Sequence, residues 1–339
     1  MVWEKCAIET SEGKKQGIAP LIISASRSTD IPAFYSDWFI DRLRKGYSKW
    51  VNPFNRREQF ISFSRVKFVV FWSKNPKPIL KYLEEIEKHN VKYYFQFTLN
   101  DYEREGLEPN VPSLEERLDT FKELSLSIGK ERVIWRFDPL IMTSELDLDQ
   151  LIEKIECIGN ELYKYTEKLV FSYVDISKYL KVKRNFIKAG IKYLEFNTET
   201  MIEAAERIRE SNKKWGLEIS TCGEKIALER YGIKHNKCID DNLILRISPN
   251  DIELKKFLGY NKQHQIQMFP KKTNERKKLK DKGQRIECGC ILSKDIGQYN
   301  TCGHLCTYCY ANHSFKEVER SLSLVESGSS SILNPSGRK

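Results

Sequence analysis

Leu21-Ile22-Ile23-Ser24-Ala25, followed by Ser26-Arg27-Ser28-Thr29-Asp30-Ile31-Pro32, is where the fold becomes legible. An apolar run of strand length breaks into a polar loop of turn formers, and a helix is predicted over about 36–45, stopped by Gly46. The unit then repeats. Strands are predicted at 66–72, 93–98, 132–137, 169–174 and 217–221, each a short apolar run. Between them Ile79, Leu80, Leu83 and Ile86 share one helical face, and a capping box from Ser113 to Glu116 opens a helix ending near Gly129. Leu148, Leu151, Ile152 and Ile155 mark another helix, with more over 179–190 and 199–213; 192–196 is ambiguous. Pro139 is expected to end the fourth ladder. Six strands alternating with helices predict an α/β fold, a partial (β/α)6 TIM-like barrel.

The bulk numbers bound the class. Hydrophobic residues make up 40% and aromatic residues 12% of 339 residues, enough for a sizeable core, and mean hydropathy is -0.54. No apolar run approaches the ~18 residues of a spanning helix, and residues 1–10 lack the apolar core of a signal peptide. A cytoplasmic protein without membrane contact is the expectation. The net charge of +10 is concentrated in 271–285, where eight basic residues face two acidic ones. Such a run reads as a solvated connector before a phosphate-binding patch.

Nine cysteines in this setting point to metal or redox chemistry before disulfides. Cys6 and Cys157 stand alone and read as inert. Cys302, Cys306 and Cys309 form a C-x3-C-x2-C run that can hold one [4Fe-4S] cluster; a zinc knuckle completed by His304 or His313 is the alternative. Three thiolates leave one iron without a protein ligand, the position where chemistry can occur. Cys222, Cys238, Cys288 and Cys290 are a second set of four, suited to another iron-sulfur cluster or to zinc.

The string Thr301-Cys302-Gly303-His304-Leu305-Cys306-Thr307-Tyr308-Cys309-Tyr310-Ala311-Asn312 resembles the signature of radical S-adenosylmethionine enzymes, including the spore photoproduct lyase group. Over about 20–315 the chain resembles the DUF1848 family. That likeness is carried by Ser26-Arg27-Ser28-Thr29-Asp30-Ile31-Pro32, Phe71-Trp72-Ser73-Lys74-Asn75-Pro76, Arg136-Phe137-Asp138-Pro139, Cys288-Gly289-Cys290, Asp295-Ile296-Gly297 and the terminal motif. Radical S-adenosylmethionine enzymes usually carry the cysteine loop after the first strand, whereas here it comes last. A circular permutation reconciles this, with 290–294 as the first strand in space beside 21–25.

The resemblance implies that S-adenosylmethionine chelates the open iron and that a 5′-deoxyadenosyl radical takes hydrogen from substrate. It places Tyr308 at the adenine. Arg27, Asp30, Lys74, Asn75, Gln96, Arg136 and Asp138 are then candidates to hold carboxylate, ribose or substrate. A reductant such as ferredoxin or flavodoxin is the implied partner. The domain organisation expected is an N-terminal segment (1–20), a β/α barrel (21–222), a cysteine-rich region completing it (223–316) and a disordered tail (317–339). Two other classes fit parts of this pattern: a non-catalytic iron-sulfur carrier or sensor, and a zinc-stabilised nucleic-acid-binding module using 271–285.

Overall fold

The computed structural model describes residues 3–260, 279–324 and 328–333. The chain opens with a hairpin, β1 (Glu4–Thr10) and β2 (Gly13–Ala19), before the expected units begin. β3 (Ile22–Ala25) leads through the polar loop to α1 (Ile31–Phe34), capped by Asp30, and α2 (Ser36–Lys45), which Gly46 ends in the left-handed conformation. A second hairpin, β4 (Tyr47–Val51) and β5 (Glu58–Ser62), precedes β6 (Phe68–Ser73), α3 (Leu83–Lys88) and β7 (Lys92–Thr98). α4 (Leu114–Ile128) starts at the predicted capping box. β8 (Val133–Leu140), β9 (Met142–Thr143), α5 (Leu148–Leu162), β10 (Lys168–Tyr173), α6 (Leu180–Lys188), β11 (Tyr193–Leu194), α7 (Thr198–Trp215) and β12 (Glu218–Thr221) follow. The chain then forms β13 (Lys234–His235), α8 (Asp241–Ile247), α9 (Ile252–Phe257), β14 (Lys294–Asp295) and α10 (Phe315–Ser323).

All six predicted strands lie side by side in one eight-stranded parallel sheet, ordered β13-β12-β10-β8-β7-β6-β3-β14. Continuous apolar strands suit such a sheet because helices cover both faces. Ile23, Val69, Phe71, Phe95, Trp135 and Phe171 point to one face and pack with Phe39, Ile86, Phe121, Ile155 and Ile208 of α2, α3, α4, α5 and α7. Ile22, Phe68, Val70, Tyr94, Ile134 and Val170 point to the other, under Ile244 and Leu254 of α8 and α9 and under Cys238, Ile239, Cys288 and Cys290. On this second face alternate positions turn polar toward the strands' C-terminal ends, giving Ser24, Gln96 and Arg136, all buried.

Several expectations are corrected. Among the described residues the sheet does not close. Its edge strands β13 and β14 are two residues long, and the face a barrel would enclose is filled by α8, α9 and the cysteine segments. The strand expected over 290–294 is present beside β3 but starts at Lys294, because Ile291 bridges Lys280 instead. Strand β8 runs through Pro139 to Leu140, with a bulge against β10. The two hairpins, Glu4–Ala19 and Tyr47–Ser62, build a separate sheet, β1-β2-β5-β4, whose charged outward positions conceal it from a search for apolar runs.

The region after β12 also differs. After β12 the chain makes a single helical turn at Glu229–Tyr231, since Gly223 turns the chain and Glu224 is drawn inward to accept from Tyr173 N. The tail is not disordered from 317. Ser314 caps α10, Ile332 is fully buried, and the Gly328, Ser329 and Ser330 carbonyls accept from Arg42, Trp38 and Lys49 N. Of the basic run, Lys271, Lys272, Arg276, Lys277 and Lys278 lie outside the described residues. No described helix is long and apolar enough to cross a membrane.

Candidate functional site

Functional side chains gather where the parallel strands end, the usual place for sites in such sheets. The cysteine loop is fixed there by its carbonyls. Tyr35 Oη donates to the Thr301 carbonyl at 2.7 Å, Asn312 Nδ2 to that of Cys302 at 2.9 Å, and Asn110 Nδ2 to that of Gly303 at 2.9 Å. Leu305 takes a positive φ of 55°, and a Cβ on Gly303 would lie 2.9 Å from the Phe34 ring. Burial pushes the Cys302 and Cys306 thiols above their ordinary range; Cys309 and Asp30 raise Cys302 further, and Glu108 and Cys309 do so for Cys306 against the opposing Lys74. The three thiols thus share one loop among buried charged groups.

Two buried hubs anchor this loop to the sheet. Asp30 accepts from Ala33 N at 2.9 Å, Ser73 Oγ at 2.8 Å and Lys74 N at 2.7 Å, and its Oδ2 lies 2.8 Å from His304 Nε2. His304 is buried, and its Nδ1 lies 3.2 Å from the Asn110 carbonyl. Both ring nitrogens are thus engaged with protein, which disfavours this histidine as a fourth zinc ligand. In the second hub Glu108 accepts from Lys74 Nζ at 2.6 Å, from Asn100 Nδ2 at 3.0 Å and from the Tyr308 hydroxyl, which Lys74 Nζ also meets at 2.8 Å.

The other four thiols converge elsewhere. Cys222 and Cys238 sulfurs are 3.4 Å apart, and Cys290 hydrogen-bonds with both Cys238 and Cys288. Cys238 Sγ accepts from Arg136 Nη1 at 3.2 Å and from Asn236 Nδ2 at 3.3 Å, while Cys290 Sγ accepts from Ile239 N at 3.4 Å. Hydrogen bonds from Cys222 and Cys290, helped by Arg136 and Arg27, hold the Cys238 thiol well below its usual range. Donors aimed at sulfur are the surroundings a ligating thiolate needs.

Asp295 joins β14 to the loop after β3. Its carboxylate accepts from Ser24 Oγ and Ser26 Oγ at 2.7 Å each, and from Arg27 N and Gly297 N at 2.9 Å each. A Cβ on Gly297 would lie 2.0 Å from Ser26 Oγ. Gly297→Ala is therefore expected to cost about 1–3 kcal/mol by overpacking, read from chemical denaturation midpoints.

The eight cofactor-binding candidates divide instead of lining one mouth. Asp30, Lys74 and Tyr308 serve the cysteine loop. Arg27, Gln96, Arg136 and Asp138 surround the four-thiol set: Arg136 pairs with Asp138 and donates from Nη1 to Gln96 Oε1 at 3.0 Å, Gln96 Nε2 donates to the Cys238 carbonyl at 3.0 Å, and the Arg27 guanidinium lies 5.1 Å over Trp72 beside Cys290. Asn75 reaches neither set; its side chain accepts from Lys77 N at 3.4 Å in a turn. Glu108, Asn100 and Asp295 carry the site without having been proposed for it. Glu108 sits in a long loop with no pattern around it, whereas Asp295-Ile296-Gly297, polar and turn-forming after an apolar run, had the signal of a strand-end loop.

Among the described residues no three His, Cys, Asp or Glu side chains are arranged around one metal ion. A cluster makes a different demand, since thiolates at separate corners of a cube stand farther apart than ligands of one ion. In donor chemistry both sets suit such a group, being thiols only, but Cys222 and Cys238 at 3.4 Å stand closer together than corners of a cube, so the four-thiol set would have to spread to hold one. Among the described residues Arg27 Nη2, Thr29 Oγ1, Asn236 Oδ1 and Asn312 Oδ1 nearby are buried polar atoms without hydrogen-bond partners.

No curated protein matches the chain. Among solved structures it is similar to a Bacteroides thetaiotaomicron protein provisionally described as an alpha-L-fucosidase, at 9% identity and a TM-score of 0.26, over 58% of this chain and 85% of that one. Likeness of that size carries no argument about fold or function. The sequence model described as "Domain of unknown function (DUF1848)" matches residues 22–311, most of the length, and the chain belongs to that family.

Proposed function

We propose that the chain is a radical S-adenosylmethionine enzyme. In this reading the sheet is a permuted partial barrel, Cys302, Cys306 and Cys309 hold a [4Fe-4S] cluster, and Cys222, Cys238, Cys288 and Cys290 hold a second. The observation that supports it is the sorting of the thiols. The main electrostatic influences on Cys302 and Cys306 come from their own loop and from charged side chains, with none of the other four thiols among them, while those four touch one another. No fourth thiol joins the loop, so a cubane there would leave one iron without a thiolate ligand. When bound, cluster and S-adenosylmethionine together supply a 5′-deoxyadenosyl radical.

The chain's own residues have definable tasks. Asp30 and Glu108 hold the loop against the strand ends, and Lys74 places a cation near Cys306 to offset thiolate charge. Arg27 Nη2 and Thr29 Oγ1, buried without hydrogen-bond partners among the described residues, are available to bind polar groups of a cofactor or substrate. The electron comes from a carrier such as ferredoxin or flavodoxin. Anaerobic reconstitution with iron and sulfide, then dithionite and S-adenosylmethionine, tests the reading by formation of 5′-deoxyadenosine. A fully loaded loop cluster that yields none overturns catalysis, and zinc in the four-thiol set overturns the second cluster.

A further inference from the structure

The outer side of α6 is not used by the catalytic reading. Along one side the helix is strapped to the cysteine loop: Lys181 Nζ donates to the Tyr310 carbonyl at 3.2 Å, and one turn later Asn185 Nδ2 donates to the Thr307 carbonyl at 3.1 Å. Val182 and Phe186 anchor it in the core. The opposite face consists of Leu180, Lys183, Arg184, Ile187 and Lys188, spaced i, i+3, i+4, i+7 and i+8, and all five are exposed. Leu180 and Ile187 are each 65% exposed. The helix has no acidic residue, and the nearest ion pair in sequence, Lys178 with Asp175, precedes it; among the described residues Lys183, Arg184 and Lys188 have no ion-pair partner. Two aliphatic side chains stand in water among three uncompensated cations, on a helix that touches the loop on both sides of Cys309.

We infer that this face of α6 docks an acidic, low-potential electron-carrier protein that delivers one electron to the loop centre. The inference rests on the iron-sulfur reading above. Apolar anchors within a charged ring are the composition of a protein interface, and the cations would steer an acidic partner. A single-stranded nucleic acid would call for aromatic stacking faces, which the stripe lacks. The step balances simply: the reduced carrier loses one electron and the loop cluster gains it.

The test uses the full-length reconstituted protein and reduced flavodoxin, following the cluster's visible absorbance, with dithionite in parallel. Reversing the stripe by Lys183→Glu, Arg184→Glu and Lys188→Glu together is expected to slow flavodoxin-driven reduction about tenfold at low salt and to flatten its salt dependence, leaving the dithionite rate unchanged. Leu180→Ser with Ile187→Ser, which keeps the charge, is expected to weaken flavodoxin binding to the cluster-free protein as well. Equal flavodoxin rates before and after charge reversal, with dithionite reduction intact, overturn the docking surface and leave the iron-sulfur reading standing. Failure of the unaltered protein to take up any reducible cluster overturns that reading, and the inference with it. A single-stranded oligonucleotide that binds more tightly than flavodoxin and is lost on the same charge reversal assigns the stripe to nucleic acid instead.

Discussion

Cys306→Ala is expected to remove the loop's share of iron, about four atoms per chain, and to bring 5′-deoxyadenosine formation below detection. Cys222→Ala is expected to remove a different share and leave that formation in place. The asymmetry follows from position. Cys306 is 8% exposed, the most buried of the loop thiols, with Lys74 as the nearby cation and Thr307 N bound to the Leu107 carbonyl, so its sulfur is fixed at a buried position. A loop with three thiolates has none to spare. Cys222 belongs to the other set, 3.4 Å from Cys238, whose sulfur accepts from Arg136 Nη1. Iron, sulfide and zinc counts on each variant after anaerobic reconstitution, read beside nucleoside formation, check both halves. Loss of loop iron in Cys222→Ala would mean that the two sets share one centre and that the free iron does not exist.

The sheet was legible because a parallel sheet buries both faces and so leaves continuous apolar runs in the sequence; all six such runs are strands. Strands with one wet face, such as Glu4–Thr10 and Gly13–Ala19, leave a weaker trace and were passed over. Caps were equally readable: Ser113 with Glu116, and Gly46, act as their residue types dictate. The thiols could be counted from sequence, but their sorting could not, since it depends on Cys238 and Cys290 being carried under the sheet by α8 and by the segment before β14. Polar candidates chosen as strand-end residues were right about the end of the sheet and wrong about unity. Arg136 and Gln96 lie on the strands' inner face and meet the four-thiol set, whereas Asp30 and Lys74 lie on loops and meet the three-thiol loop.

Glu108→Gln is expected to cost about 3–5 kcal/mol at neutral pH, because it leaves two buried cations without their carboxylate. Glu108 is 5% exposed; Lys74 Nζ lies 2.6 Å from its Oε1, and Arg117 Nη1 lies 3.7 Å from its Oε2. Burial alone would raise the pKa of this carboxyl, but Lys74 and Arg117 outweigh it and hold the group at about 2 against an ordinary 4.5. A folded pKa below the unfolded one means that the charged hub stabilises the protein above pH 4.5 and that this contribution fades as pH falls toward 2. The difference corresponds to about 3 kcal/mol, the same order as the expected cost. Urea denaturation of both proteins at pH 7 and near pH 2.5 should show a wide gap that narrows in acid. A gap independent of pH would mean that Glu108 acts through packing and not charge. Lys74→Met combined with Glu108→Leu supplies the complementary test: removing cation and carboxylate together should recover part of the loss, because the penalty lies in the unpaired charge. Tyr308 loses its carboxylate acceptor in either variant, so weaker iron retention by the cysteine loop should accompany the fall in stability even where the double replacement restores the fold.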